Sequence, residues 1–292
     1  MNTTSIEWCT RSWNPVTGCR HGCSSNGKSW CFARDIAIRF AGGGYDKNGI
    51  CISSPNEQGG DGLHDLEEPE YKWTKAGKLI KAAYPHCFEP TFHRYRLGEP
   101  AAVTQPQNVF TVDMGDLFGE WVPEKWIWAV ADACAAAPQH NYLFLTKNST
   151  RYNAITKRGI LGSKFTLIMG DASDHIWFGA SATGQAMATN ALLHLEGASY
   201  FSHTFMSIEP LMLPMKLSFR MERLGWVIVG AMTGPGAAAH QPRREWVADI
   251  VDQCRAAGVP VFLKNNLAGI WGEQLIQEYP EGLRAVAERA GR

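Results

Sequence analysis

The sequence predicts an α/β fold, a parallel (β/α) barrel or partial barrel, on three observations. Short strand-like, largely apolar stretches recur at 109–112, 142–145, 176–180, 200–208, 226–230 and 261–263. Helical patterns separate most of them, and that alternation means parallel strands covered by helices. Polar residues then gather just after the runs, where folds of this kind place their working groups. Six or seven such units joined by right-handed crossovers favour a barrel over an open sheet.

Taken in order, residues 5–18 read as a first strand ending in a cysteine loop, and 31–41 as the helix after it, stopped by Gly42-Gly43-Gly44. From about 42 to 107 the pattern is irregular, rich in Gly, Pro and acidic residues (Glu57, Asp61, Asp65, Glu67, Glu68, Glu70), with a short helix expected around 70–83. It reads as an insertion into a single domain of residues 1–292, folded over the barrel mouth, because long irregular stretches in compact domains are often functional. Helices follow at 123–136, with Pro123 in the first turn, and at about 149–157, 184–196 and 243–257, the last closed by Gly258. No short repeat and no low-complexity tract interrupts this order.

The 292 residues suffice for a large core. The 28 basic and 28 acidic side chains cancel, so contact with nucleic acid or an anionic membrane requires a local patch. There is no run of eighteen apolar residues and no signal-peptide core. A cytoplasmic protein with no membrane partner is therefore expected. In that compartment Cys51, Cys87, Cys134 and Cys254 are expected as reduced thiols. Oligomeric state is not legible.

Three cysteines, Cys19, Cys23 and Cys31, lie within thirteen residues in a loop rich in Gly, Ser and Pro. Thiolates so clustered suit a soft metal centre. Three ligands leave one iron of a [4Fe-4S] cluster open, whereas structural zinc takes four, for which His21 is the available fourth. Phe32, directly after the loop, is expected to pack against a cluster and limit solvent.

The opening Ile6-Glu7-Trp8, then Trp13-Asn14-Pro15-Val16-Thr17-Gly18-Cys19, Cys23 and Cys31-Phe32-Ala33-Arg34, resembles the phage-associated radical-SAM-like proteins. The likeness continues through 88–93, Met114-Gly115-Asp116-Leu117-Phe118, Leu145-Thr146-Lys147, Ser207-Ile208-Glu209-Pro210-Leu211, 234–237 and Phe262-Leu263-Lys264. The chain departs from the family pattern in the seven residues between Cys23 and Cys31, in Met232-Thr233 and Ala238-Ala239, and in Asn265-Asn266. The resemblance implies a radical-SAM-type barrel with a [4Fe-4S] cluster on Cys19, Cys23 and Cys31. It further implies S-adenosylmethionine, cleaved to a 5′-deoxyadenosyl radical with an electron from a flavodoxin- or ferredoxin-type reductant. A nucleotide or nucleic-acid base is the expected substrate.

On that reading Asp113, Asp116, Ser181 and Glu209 neighbour the cofactor, with Phe32 beside the cluster. His93, Arg94 and Lys147 meet the substrate, and Glu209 and Lys264 carry catalysis. The alternatives are helix caps for the two aspartates, a structural hydrogen bond for His93 and a structural ion pair for Lys264. A buried Glu209 needs a partner, either Lys147, Lys264 or the substrate. Two rival functions remain: a zinc-stabilised nucleic-acid-binding module, and a barrel that has lost catalysis and acts as a binding subunit.

Overall fold

The strands form in the order expected of parallel α/β units. The computed structural model describes residues 1–25, 28–29, 31–41, 62–74, 76–152, 174–199, 202–217, 220–234, 236–272 and 274–292. In chain order the strands are β1 (Asn2–Thr3), β2 (Arg11–Trp13), β3 (Val16–Thr17), β4 (Ser24–Ser25), β5 (Lys28–Ser29), β6 (His64–Leu66), β7 (Tyr71–Trp73), β8 (Leu79–Lys81) and β9 (Thr91–His93). They continue with β10 (Asn108–Thr111), β11 (Asn141–Thr146), β12 (Ile176–Ser181), β13 (His203–Ile208), β14 (Trp226–Val229) and β15 (Val261–Leu263). The longer helices are α1 (Phe32–Phe40), α2 (Glu124–Ala135), α3 (Gln185–Ala198), α4 (Arg244–Ala257) and α5 (Glu281–Arg289).

The main sheet has eight strands in the order β1-β2-β10-β11-β12-β13-β14-β15. All its pairs are parallel except β1 with β2. Among the described residues β15 and β1 are its edges, so the sheet is not closed into a barrel. No helix of the described residues is long and apolar enough to cross a membrane.

Strand side chains alternate between two apolar layers. Val109, Tyr142, Phe144, Phe178, Met206, Ile208, Val227, Val229 and Leu263 join the layer that α2, α3 and α4 cover with Trp126, Val130, Leu192, Leu195, Ile250 and Cys254. The opposite, inner face carries Leu143, Trp177, Phe205, Trp226, Ile228 and Phe262. Trp8 crosses that face, with its ring centroid 4.6 Å from Phe110 and 6.2 Å from Trp226. At the strands' N-terminal ends α5 packs Leu283 and Ala287 into the same layer, and Asn108 Nδ2 donates to the Leu283 carbonyl at 2.9 Å. One end of the inner face is thus sealed by apolar side chains.

The insertion differs from its expected form. Residues 42–61 and 75 lie outside the described set. Where a helix was expected at 70–83, β7 and β8 form an antiparallel hairpin. Thr74 Oγ1 accepts the Lys78 N–H, and Gly77 takes a φ of 73° that a helix cannot use. β9 pairs with β3 and β6, which ties the end of the insertion to the cysteine loop. The expected helix at 149–157 is described only to Tyr152. Cys87 is disulfide-bonded, which corrects the reduced thiol expected there; Cys134 and Cys254 are free and buried, and Cys51 lies outside the described residues.

Candidate functional site

The inner-face alternation continues past the strand ends. Two residues beyond Leu145 comes Lys147; beyond Gly179, Ser181; beyond Ser207, Glu209; beyond Phe262, Lys264. Period-two geometry puts these groups on the face that Trp177, Phe205 and Phe262 occupy lower down. Lys264 Nζ pairs with Glu209 and lies 3.7 Å from Glu7. Lys264 is therefore the partner that Glu209 requires. The pair closes over Gly230, where a Cβ would come within 3.0 Å of both side chains. Asn265 N–H reaches Glu7 at 3.1 Å. Glu7, just before Trp8, is a site residue that sequence reasoning missed; its only signal was a charge inside an aromatic opening.

The cysteine loop is fixed at its root. Gly18 has a φ of 85° and donates to the Met114 carbonyl at 2.9 Å, and a Cβ there would strike the Glu89 carbonyl at 2.3 Å. Cys19 N–H then bonds the Phe88 carbonyl. Cys31 occupies the N-cap position of α1. The thiols of Cys23 and Cys31 are hydrogen-bonded to each other. That bond lowers Cys31 to about 6, with help from the Arg34 amide and the Lys147 charge against the effect of burial. Cys23, the donor, is pushed up by the same bond and by burial. Burial raises Cys19 to about 12. Lys147 lies near enough to all three sulfurs for its charge to favour each thiolate. The lysine expected to meet substrate therefore stands beside the cysteines.

Asp116 links this loop to the sheet. Its Oδ1 accepts the Phe118 N–H at 2.9 Å, and Oδ2 accepts from Thr146 Oγ1 at 2.9 Å and the Lys147 N–H at 3.1 Å. His21 Nε2 lies 2.7 Å from Oδ2, and the imidazole packs edge-on against Trp121. Asp116 is 4% exposed, and its oxygens are committed to protein. Its place is that of an anchor for the cysteine loop rather than of a ligand-facing carboxylate.

Asp113, by contrast, has one side-chain donor, Asn14 Nδ2, and is raised to about 6 by burial, which the Asn14 bond opposes. The folded carboxyl holds its proton to higher pH than the unfolded chain, so its contribution is greatest below about pH 4 and lost as pH rises through about 6. Asp113→Asn should remove that slope and raise stability at neutral pH by about 1 kcal/mol, a figure reduced for partial exposure. Urea midpoints between about pH 4 and pH 8 check this: parallel pH profiles for the two proteins would exclude it.

His93 is wholly buried, with Nε2 2.9 Å from Thr17 Oγ1 and Nδ1 3.1 Å from Tyr95 OH, and burial lowers it to about 2. It is a neutral structural group and does not meet an anion. Arg94 makes a two-pronged bond to Asp65 and pairs with Glu67. Phe32, directly after Cys31, is 61% exposed.

Fold and site together define an α/β protein with a mostly parallel sheet, three thiols and a set of charged side chains meeting at its C-terminal strand ends. Residues 3–289 match the model of a family described as a protein of unknown function (DUF5131), and the chain belongs to that family. No curated protein and no solved structure matches it.

Proposed function

We propose that this protein is a radical S-adenosylmethionine enzyme, built on a barrel or partial barrel, that acts on a nucleotide or nucleic-acid base. The observation that carries this reading is the convergence of Cys19, Cys23 and Cys31 beside Lys147, at the strand ends where Ser181, Glu209 and Lys264 share one face. The donor set fits a [4Fe-4S] cluster: all soft thiols, one of them already biased toward thiolate at a helix start. Three thiols leave one iron of such a cluster open, whereas structural zinc takes four ligands, and His21, the available fourth, is engaged by Asp116 and Trp121.

When bound, the cluster and its sulfonium cosubstrate would supply one-electron bond cleavage, with the electron from a flavodoxin- or ferredoxin-type reductant. The protein's own part is binding and exclusion. Lys147 offsets thiolate charge. Asp113 and Ser181 offer acceptors and a hydroxyl for the amino, carboxylate or ribose groups of a nucleoside-bearing ligand. The Glu209–Lys264 pair presents both charges at the mouth, to hold a polar substrate or exchange a proton with it. Trp8 and the aromatic layer beneath keep water from below.

The test is anaerobic purification and reconstitution, followed by iron and sulfide analysis and ultraviolet–visible spectra before and after dithionite. A brown protein with about four irons per chain, bleached on reduction, is expected. It should cleave S-adenosylmethionine only when reduced. A colourless chain retaining about one zinc would overturn the reading, and a cluster-loaded protein that neither binds nor cleaves the sulfonium would favour the non-catalytic barrel.

A further inference from the structure

The β7–β8 hairpin takes no part in the constellation above, yet it exposes much apolar surface. Its register pairs Tyr71 with Lys81, Lys72 with Ile80 and Trp73 with Leu79. Residues paired across a ladder point to one side, so Tyr71, Trp73, Leu79 and Lys81 share a face. Trp73 is 71% exposed and Tyr71 56%. Lys72 and Ile80, on the other side, are half-buried, and Lys72 bonds the Phe40 carbonyl at the end of α1. Two large rings held in water do nothing for folding, and such patches mark binding surfaces.

Charge selects the occupant. Residues 71–81 contain four lysines, Lys72, Lys75, Lys78 and Lys81, and no acid. Of the acids just before them, Asp65 and Glu67 pair with Arg94 and Glu70 with His86, which leaves the exposed Glu68 as the one carboxylate without such an ion pair among the described residues. Aromatic faces interleaved with cations on an extended element match single-stranded nucleic acid, whose bases stack on rings and whose phosphates take the lysines. The hairpin also leads to the mouth. Lys81 Nζ lies 5.5 Å from the Tyr95 ring centroid, and Tyr84 sits close enough to Asp113 to feel its charge.

We propose that the hairpin is a stacking platform that binds single-stranded nucleic acid and brings a base to the strand ends. The delivery step rests on the function proposed above; the binding step needs no cluster. Fluorescence anisotropy of labelled DNA and RNA oligonucleotides with the full chain, at several salt concentrations and against duplex competitor, tests it. Single strands should bind in preference to duplex, and Tyr71→Ala/Trp73→Ala should weaken binding about ten-fold or more with unchanged thermal stability. Lys78→Gln/Lys81→Gln should make the salt dependence shallower by about one unit of log–log slope. Affinity indifferent to both pairs of substitutions overturns the proposal. So does an effect seen instead on binding to phosphatidylserine vesicles or on self-association. Iron measured after anaerobic reconstitution of the same samples separates the two readings: a protein that takes up no iron yet still binds through Trp73 supports the platform and overturns the cofactor.

Discussion

Alanine at Asp116 should lower the unfolding free energy by about 4 kcal/mol, since hydrogen bonds to a charged acceptor contribute about 1.5–3 kcal/mol each and buried donors left unpaired add their desolvation cost. The carboxylate takes the Phe118 and Lys147 amides and the Thr146 hydroxyl, and it faces His21. Phe118 and Thr146 are buried, so water does not readily replace it. Full additivity would predict more; relaxation of the β10–α2 turn accounts for the difference. At roughly 2 °C per kcal/mol for a chain of this size, the thermal midpoint should fall by about 8 °C. Asp116→Asn retains an acceptor for Phe118 but turns an amide toward Lys147 N–H, and should lose about half as much. Urea and thermal unfolding of both variants decide the matter. A loss under about 1 kcal/mol for alanine would mean that solvent already shares this carboxylate.

That result would also explain why part of the site was legible in the sequence and part was not. The parallel strands could be read because they are buried on both faces, so 142–145 and 226–230 are unbroken apolar runs. The rim followed from them: a residue just past such a run keeps the strand's alternation, which is how Ser181, Glu209 and Lys264 reach one face. Asp116 has the same sequence signature, a carboxylate after a strand, but its partners come from three separate places, and only the tertiary structure reveals that they use up its oxygens. His93 fails for a related reason. A histidine beside an arginine suggests anion binding, but Thr17 and Tyr95 occupy both its nitrogens. The stretch 70–83, expected as a short helix, forms a hairpin instead because the local turn at Thr74 and Gly77 decides it. The helix α5 went unread because its apolar stripe, Leu283, Val286 and Ala287, is short and sits among charges.

On the function proposed above, serine at any one of Cys19, Cys23 or Cys31 should abolish cluster binding, taking iron from about four per chain to below about one, because a neutral hydroxyl neither matches a thiolate's softness nor carries its charge. Reductive cleavage of S-adenosylmethionine should then fall by about 10³-fold or more, since the cofactor and not the protein supplies the bond-breaking chemistry. Cys134→Ser and Cys254→Ser serve as controls: both thiols are buried in the helix-covered layer, and their loss should affect stability while leaving iron unchanged. Lys147 supplies a third class. Its charge favours all three thiolates, so Lys147→Gln should retain iron but lower the cluster's midpoint potential, because removing a nearby cation disfavours the more negative, reduced state. Iron analysis and redox titration followed by electron paramagnetic resonance distinguish these outcomes. If the serine variants keep their iron while Cys51→Ser or Cys87→Ser loses it, the loop thiols are not the ligands. If Lys147→Gln raises the potential or leaves it unmoved, the lysine acts on something other than the cysteines it adjoins.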